Sequence, residues 1–177
     1  MLIGGFVLAG GFSRRMGGRD KALLLHPSGE TMLSRTAAIV REAAGNVTIL
    51  GPANRYAHFG FPILEDSRPD SGPLAGLFTA LQQTSCARIL VAPVDLPHLT
   101  TDFLRLLIAT PGACVIAQGQ PLCGVYHRDC LPAIEAALRA NSLRVTAIAE
   151  ALGAREVVPN DPQMLENRNT PEDWLTA

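Results

Sequence analysis

Seven short apolar runs punctuate the chain at strand length, at residues 2–9, 46–50, 61–64, 88–92, 113–117, 124–127 and 156–158. Most are near-continuous rather than alternating, which is how strands buried on both faces read. Between most of them the apolar positions recur at helical spacing instead. Met32–Ala44 sets Leu33, Ala37, Val40 and Ala44 on one face. Over Pro73–Gln83 a Gly-Pro opening precedes Leu74, Leu77, Phe78 and Leu81 at i, i+3, i+4 and i+7. Thr101 is placed to cap a helix carrying Phe103, Leu104 and Leu107, and Asp129 to cap one over 131–140. Such strands alternating with amphipathic helices predict an α/β fold with a mostly parallel sheet covered on both faces.

In sheets of this kind ligands bind beyond the carboxyl ends of the strands. Three polar features fall there: a Gly-Arg loop after the first strand, Glu65-Asp66 after the third, and Asp95 just past the fourth. The loop, LAGGFSRRMGGRDKALL at residues 8–24, places Arg14, Arg15, Arg19 and Lys21 around Gly10, Gly11, Gly17 and Gly18. Glycines after a strand allow a sharp turn and unshielded N–H groups, and the cations add fixed positive charge. The spacing matches neither the Walker A loop nor GxGxxG. On these residues alone an anion site and a glycine turn with solvated arginines stand level. Asp95, in ILVAPVDLPHLT, has the position of a Mg²⁺ ligand shared with phosphate oxygens, or of a plain turn aspartate before Pro97. Asp66, in LEDSRPDSG, has a turn or cap role as its alternative.

Length and composition narrow these options. A chain of 177 residues with 47% hydrophobic and 18% charged content suits one compact domain, taken as 1–177. Fifteen Lys and Arg against sixteen Asp and Glu leave a net charge of −1, which argues against a nucleic-acid-binding face. No apolar run approaches the roughly 20 residues that span a bilayer. The start, MLIGGFVLAGG, reads as a buried strand rather than a signal peptide, so a cytoplasmic protein with no membrane partner is expected. Cys86, Cys114, Cys123 and Cys130 form no CxxC pair and read as reduced thiols. His26, His58, His98 and His127 have neither metal-ligand nor triad spacing.

The loop resembles the LAGGxSxRMGxDKxLL signature of the molybdenum cofactor guanylyltransferases, the MobA-type nucleotidyltransferases. The similarity continues through LEDSRPDSGPLAGL at 64–77, VAPVDLPHL at 91–99, PLCGVYHRD at 121–129 and NRNTPEDW at 167–174, in the family's order. The resemblance implies a three-layer α/β/α sandwich of the nucleotide-diphospho-sugar transferase type. It implies transfer of GMP from GTP to the terminal phosphate of molybdenum cofactor (molybdopterin), with Mg²⁺ as cofactor and pyrophosphate released. GTP and molybdenum cofactor would be its partners, with cofactor-delivery or acceptor molybdoenzyme proteins beside them. Carried over by motif, Leu8, Ala9, Gly10 and Gly11 would line the nucleotide pocket. Arg15 and Lys21 would contact the phosphates, Asp66 would join the GTP site and Asp95 would hold Mg²⁺. Gly76 would belong to a close-packed helix start beside the nucleotide, while Asn167 and Asn169 would position the pterin substrate or the reacting phosphates. The chain departs from the family at ILGPANRY, where an asparagine that contacts the nucleotide often follows the second strand. Pro52 or a neighbour stands there, and no base contact is assigned to Asn54.

The implied chemistry suits these residues. A phosphate monoester has a second pKa of about 6, so near pH 7 it is already a nucleophilic dianion and needs no general base. The sister activities are a cytidylyltransferase for the same cofactor or a transferase acting on another small phosphate. The rival of another class is a carrier that binds nucleotide or cofactor without turnover.

Overall fold

The computed structural model describes residues 2–9, 20–66 and 72–167. Every predicted apolar run contributes a strand: β1 (Ile3–Leu8), β2 (Thr48–Leu50), β3 (Ile63–Leu64), β4 (Arg88–Pro93), β5 (Cys114–Ala117), β6 (Gln120–His127) and β7 (Arg155–Val157). They form one sheet in the order β3-β2-β1-β4-β6-β5-β7. All run in one direction except β6, which is antiparallel to both neighbours. The cause is local. Only Gln118 and Gly119 separate β5 from β6, with Gly119 at φ +67°, and so short a link can join only antiparallel strands. β6 also begins ahead of its expected start at residue 124, because Gln120 and Pro121 break the apolar run that marks it.

Six helices accompany the sheet: α1 (Met32–Ala44), α2 (Ala53–Tyr56), α3 (Pro73–Gln83), α4 (Thr101–Ala109), α5 (Leu131–Arg139) and α6 (Val145–Ala151). The expected spans of α1 and α3 hold to the residue. Thr31 caps α1 by accepting from the Ser34 N–H, and Gly45 ends it in the left-handed region at φ +79°. Two capping expectations are corrected. Thr100, not Thr101, caps α4, accepting from the Phe103 N–H at 3.3 Å. Asp129 does not cap α5; it sits in a 3-10 turn over Arg128–Cys130 with its carboxylate 3.0 Å from His127 Nδ1.

The strands divide their side chains between two cores. Val7, Ile49, Leu90 and Val125 face α1 and α4, meeting Leu33, Val40, Leu104 and Leu107. Phe6, Leu50, Ile89, Val91 and Ile116 face α3, α5 and α6, meeting Leu77, Leu81, Ile134 and Ile148. This is the three-layer α/β/α arrangement, and each fully buried aliphatic contributes about 1.5–3 kcal/mol of burial. No described helix is long and apolar enough to cross a membrane. The carboxyl ends of β1, β2, β3 and β4 share one end of the sheet, so their connections form a common rim there.

Candidate active site

The rim begins where the chain leaves β1. The Ala9 N–H donates to the Leu50 carbonyl at 2.8 Å, and the Gly51 N–H donates to the Leu64 carbonyl at 3.1 Å. These bonds extend the parallel ladder one step past its side chains, fixing the exits of β1, β2 and β3 together. The approach at Gly51 is close: a Cβ there would lie 2.5 Å from the Ala9 carbonyl oxygen and 2.8 Å from the Tyr56 ring. Only glycine fits that contact without movement.

The chain re-enters the described fold at Asp20, which caps a 3-10 turn over Lys21–Leu23 by accepting from the Ala22 N–H at 3.1 Å. The second oxygen of Asp20 accepts from the Tyr56 hydroxyl at 2.8 Å and lies 3.5 Å from Arg55. Tyr56 is fully buried, and burial together with the Asp20 carboxylate raises its phenol well above the ordinary range. The segment then runs into α1 through an isolated bridge between Leu25 and Thr31.

From this turn Lys21 reaches Asp95, with Nζ 3.1 Å from Oδ2. The two residues are 74 apart in sequence and come together because β1 and β4 are adjacent and parallel. Their side chains are 16% and 23% exposed, sheltered yet open enough for a ligand to reach. At an effective dielectric of 20 the gross attraction at this distance is about 5 kcal/mol, most of it offset by the cost of desolvating both ions. Such a pair can exchange its partners for a phosphate and a cation at little net cost. The turn that directly follows Asp95 is closed by the Leu99 N–H on the Leu96 carbonyl, and braced by Arg35 Nε on the Pro97 carbonyl at 3.1 Å. Behind it, burial pushes the Cys123 thiol up to about 12, with the Asp95 charge adding to the effect.

The remaining expected residues fall at varied places. Asp66 accepts from the Thr79 hydroxyl on α3 at 3.2 Å, and Glu65 accepts from the Ala53 N–H at the start of α2. Gly76, in the first turns of α3, is buried against Leu8: a Cβ there would come within 3.0 Å of the Leu8 side chain. Asn167 is exposed at the end of the described chain, following a turn over Pro162–Leu165 whose Met164 sulfur accepts from the Thr100 hydroxyl. Gly10, Gly11, Arg15 and Asn169 lie outside the described residues. No group of three His, Cys, Asp or Glu side chains gathers among the described residues. Asp95 by itself still suits a magnesium ion that takes one protein carboxylate and completes its shell with phosphate and water. Asp20, Tyr56 and Arg35 escaped the sequence reading. Asp20 had a signal in its place directly before Lys21; the other two had none.

The sequence profile of the MobA-like NTP transferase domain matches residues 5–155. A molybdenum cofactor guanylyltransferase of Cereibacter sphaeroides is 35% identical over 188 aligned positions, covering all of this chain and 96% of that protein. A protein of the same description from Shewanella baltica is 34% identical over 178 positions, covering 94% of this chain and 90% of its own. The crystal structure of molybdopterin-guanine dinucleotide biosynthesis protein A from Archaeoglobus fulgidus superposes with a TM-score of 0.79 at 19% identity. It covers 98% of this chain and 96% of its own, a likeness of fold. With the profile spanning most of the described sheet and full-length relatives above 30% identity, the chain belongs to the MobA-like NTP transferase family.

Proposed function

We propose that the protein transfers GMP from GTP to the terminal phosphate of molybdenum cofactor, releasing pyrophosphate and forming the guanine dinucleotide cofactor. The observation that carries this reading is the Lys21–Asp95 pair at the carboxyl ends of β1 and β4. It is supported by relatives described as guanylyltransferases along the whole chain.

The task at such a site is electrostatic. A phosphate dianion must approach a triphosphate, and like charges about 4 Å apart repel by about 4 kcal/mol at an effective dielectric of 20. Lys21 meets that repulsion by moving its ammonium from Asp95 to the phosphates, with Arg15 beside it. Magnesium held by Asp95 would neutralise phosphate charge and stabilise the pyrophosphate leaving group. Positioning and charge then supply most of the catalysis. Leu8, Ala9, Gly10 and Gly11 form the backbone side of the nucleotide pocket. Backbone C=O and N–H groups of residues 8–10 would pair with the donors and acceptor of guanine, the Ala9 N–H being already engaged by Leu50. Asp66 joins the GTP site, Gly76 lets α3 start close against Leu8, and Asn167 and Asn169 would position the pterin substrate or the reacting phosphates.

The test uses GTP labelled at the α-phosphate, with Mg²⁺ and purified molybdenum cofactor. A labelled dinucleotide with repeated pyrophosphate release is expected. Pyrophosphate that stops at one equivalent would indicate a carrier, equal product from CTP would overturn guanine selection, and no product with any nucleotide would remove the enzyme assignment.

A further inference from the structure

The residue that points Lys21 at its target is not itself a phosphate contact. Asp20 spends both carboxylate oxygens inside the protein: one on the Ala22 N–H, the other on the Tyr56 hydroxyl and near Arg55. Its side chain is 13% exposed. A helix cap needs only the first of these bonds. The second ties the cap to α2, an element that reaches the sheet through Gly51 and the exit of β2. At that exit there is no room for a Cβ at Gly51 between the Ala9 carbonyl and the Tyr56 ring. Tyr56 therefore lies close to Gly51 at the exit of β2 and holds Asp20 at the start of the Lys21 turn.

We propose that Asp20 is a positioning residue for Lys21, anchored by Tyr56 and Arg55 of α2, so that the Lys21 ammonium can leave Asp95 for the phosphates while its backbone stays in place. This rests on the placement of Lys21 at the triphosphate given above. The physical reason is rigidity. A carboxylate held at both oxygens cannot turn without losing a bond, and the residue after it is the first of a one-turn helix closed by the Leu24 N–H on the Lys21 carbonyl at 3.2 Å. A lysine side chain has four rotatable bonds; fixing its root shortens the search of its tip.

The test combines kinetics with amide exchange. Tyr56→Phe removes only the hydroxyl, and should lower kcat about three- to tenfold, the net worth of an ordinary hydrogen bond acting on the reaction only through Lys21, with little change in KM for GTP. Asp20→Asn retains one acceptor oxygen and should keep more activity than Asp20→Ala. In a Lys21→Ala background none of these changes should lower kcat further. A loss that multiplies in that background would overturn the proposal, because Asp20 would then act on the fold or on the nucleotide rather than through Lys21. Exchange at the Ala22 amide needs no turnover, and should quicken by about threefold or more in Tyr56→Phe as the cap loosens; unchanged exchange would also overturn it. Full turnover by Lys21→Ala with faster Ala22 exchange would instead remove the phosphate role of Lys21 and leave the tether standing.

Discussion

The half of the sheet made of β3, β2, β1 and β4 and the half made of β6, β5 and β7 handle polar groups in opposite ways. In the first half parallel strands end in crossovers, and the charged groups at their ends are tied by side chains: Lys21 to Asp95, Asp20 to Tyr56, Asp66 to Thr79 and Glu65 to the start of α2. In the second half β5 turns directly into β6, and the buried reactive groups are uncharged thiols and a phenol, at Cys114, Cys123, Cys130 and Tyr126. The hairpin closes its own ladder, with the exposed Glu156 carboxylate on the Gly119 N–H and the Gln120 amide on the Leu165 carbonyl added at its turn. Crossovers open space at the strand ends, and that space can hold a ligand only if its charged walls are braced.

The sharpest way to break this comparison is Asp95→Asn. It should lower kcat on the order of 100- to 1,000-fold, as loss of a preorganised charge does, while the thermal midpoint moves by only about 2–4 °C. A collapse of stability with kcat intact would reverse the roles of the halves. The counterpart is Ile116→Ala in β5, 4% exposed among the helices α3, α5 and α6. Truncating a buried Ile costs about 2–5 kcal/mol, to be read from denaturant midpoints, and kcat per folded molecule should not change.

The smallest effect expected is alkaline. Burial raises Cys123 from the 9.0 of an exposed thiol to about 12. The folded state thus keeps a proton that the unfolded state releases, so this contribution is whole below pH 9 and is lost as the pH rises from 9 toward 12. Near pH 10 the loss should be on the order of 1 kcal/mol for this group. Cys123→Ala should flatten the slope of stability against pH between 9 and 11, and an unaltered slope would assign it elsewhere.

The strands were legible because burial on both faces writes itself as apolar runs, and the long helices because their stripes recur over several turns. Direction was not, since hydropathy carries no sign; the reversal of β6 hangs on the two residues Gln118 and Gly119. α2 and α6 were missed because elements this short hold too few apolar positions to show a period. At the rim, Lys21 and Asp95 stood out as charges at strand ends and as parts of family motifs. Tyr56 did not, because its partner lies 36 residues away and no local spacing connects a tyrosine on one crossover to an aspartate on another. Thr100 rather than Thr101 as the cap of α4 is a one-residue matter that two adjacent threonines cannot settle from sequence.

The chain has two tyrosines, and the sheet has placed one on each side of this division. Tyr56 is buried in α2 with its hydroxyl on Asp20, and Tyr126 is buried in β6 with its hydroxyl on the Pro121 carbonyl. Fluorine-labelled tyrosine would therefore yield a pair of resonances from well-separated buried sites. One would report on the turn that carries Lys21, and the other would serve as its internal reference within the same molecule.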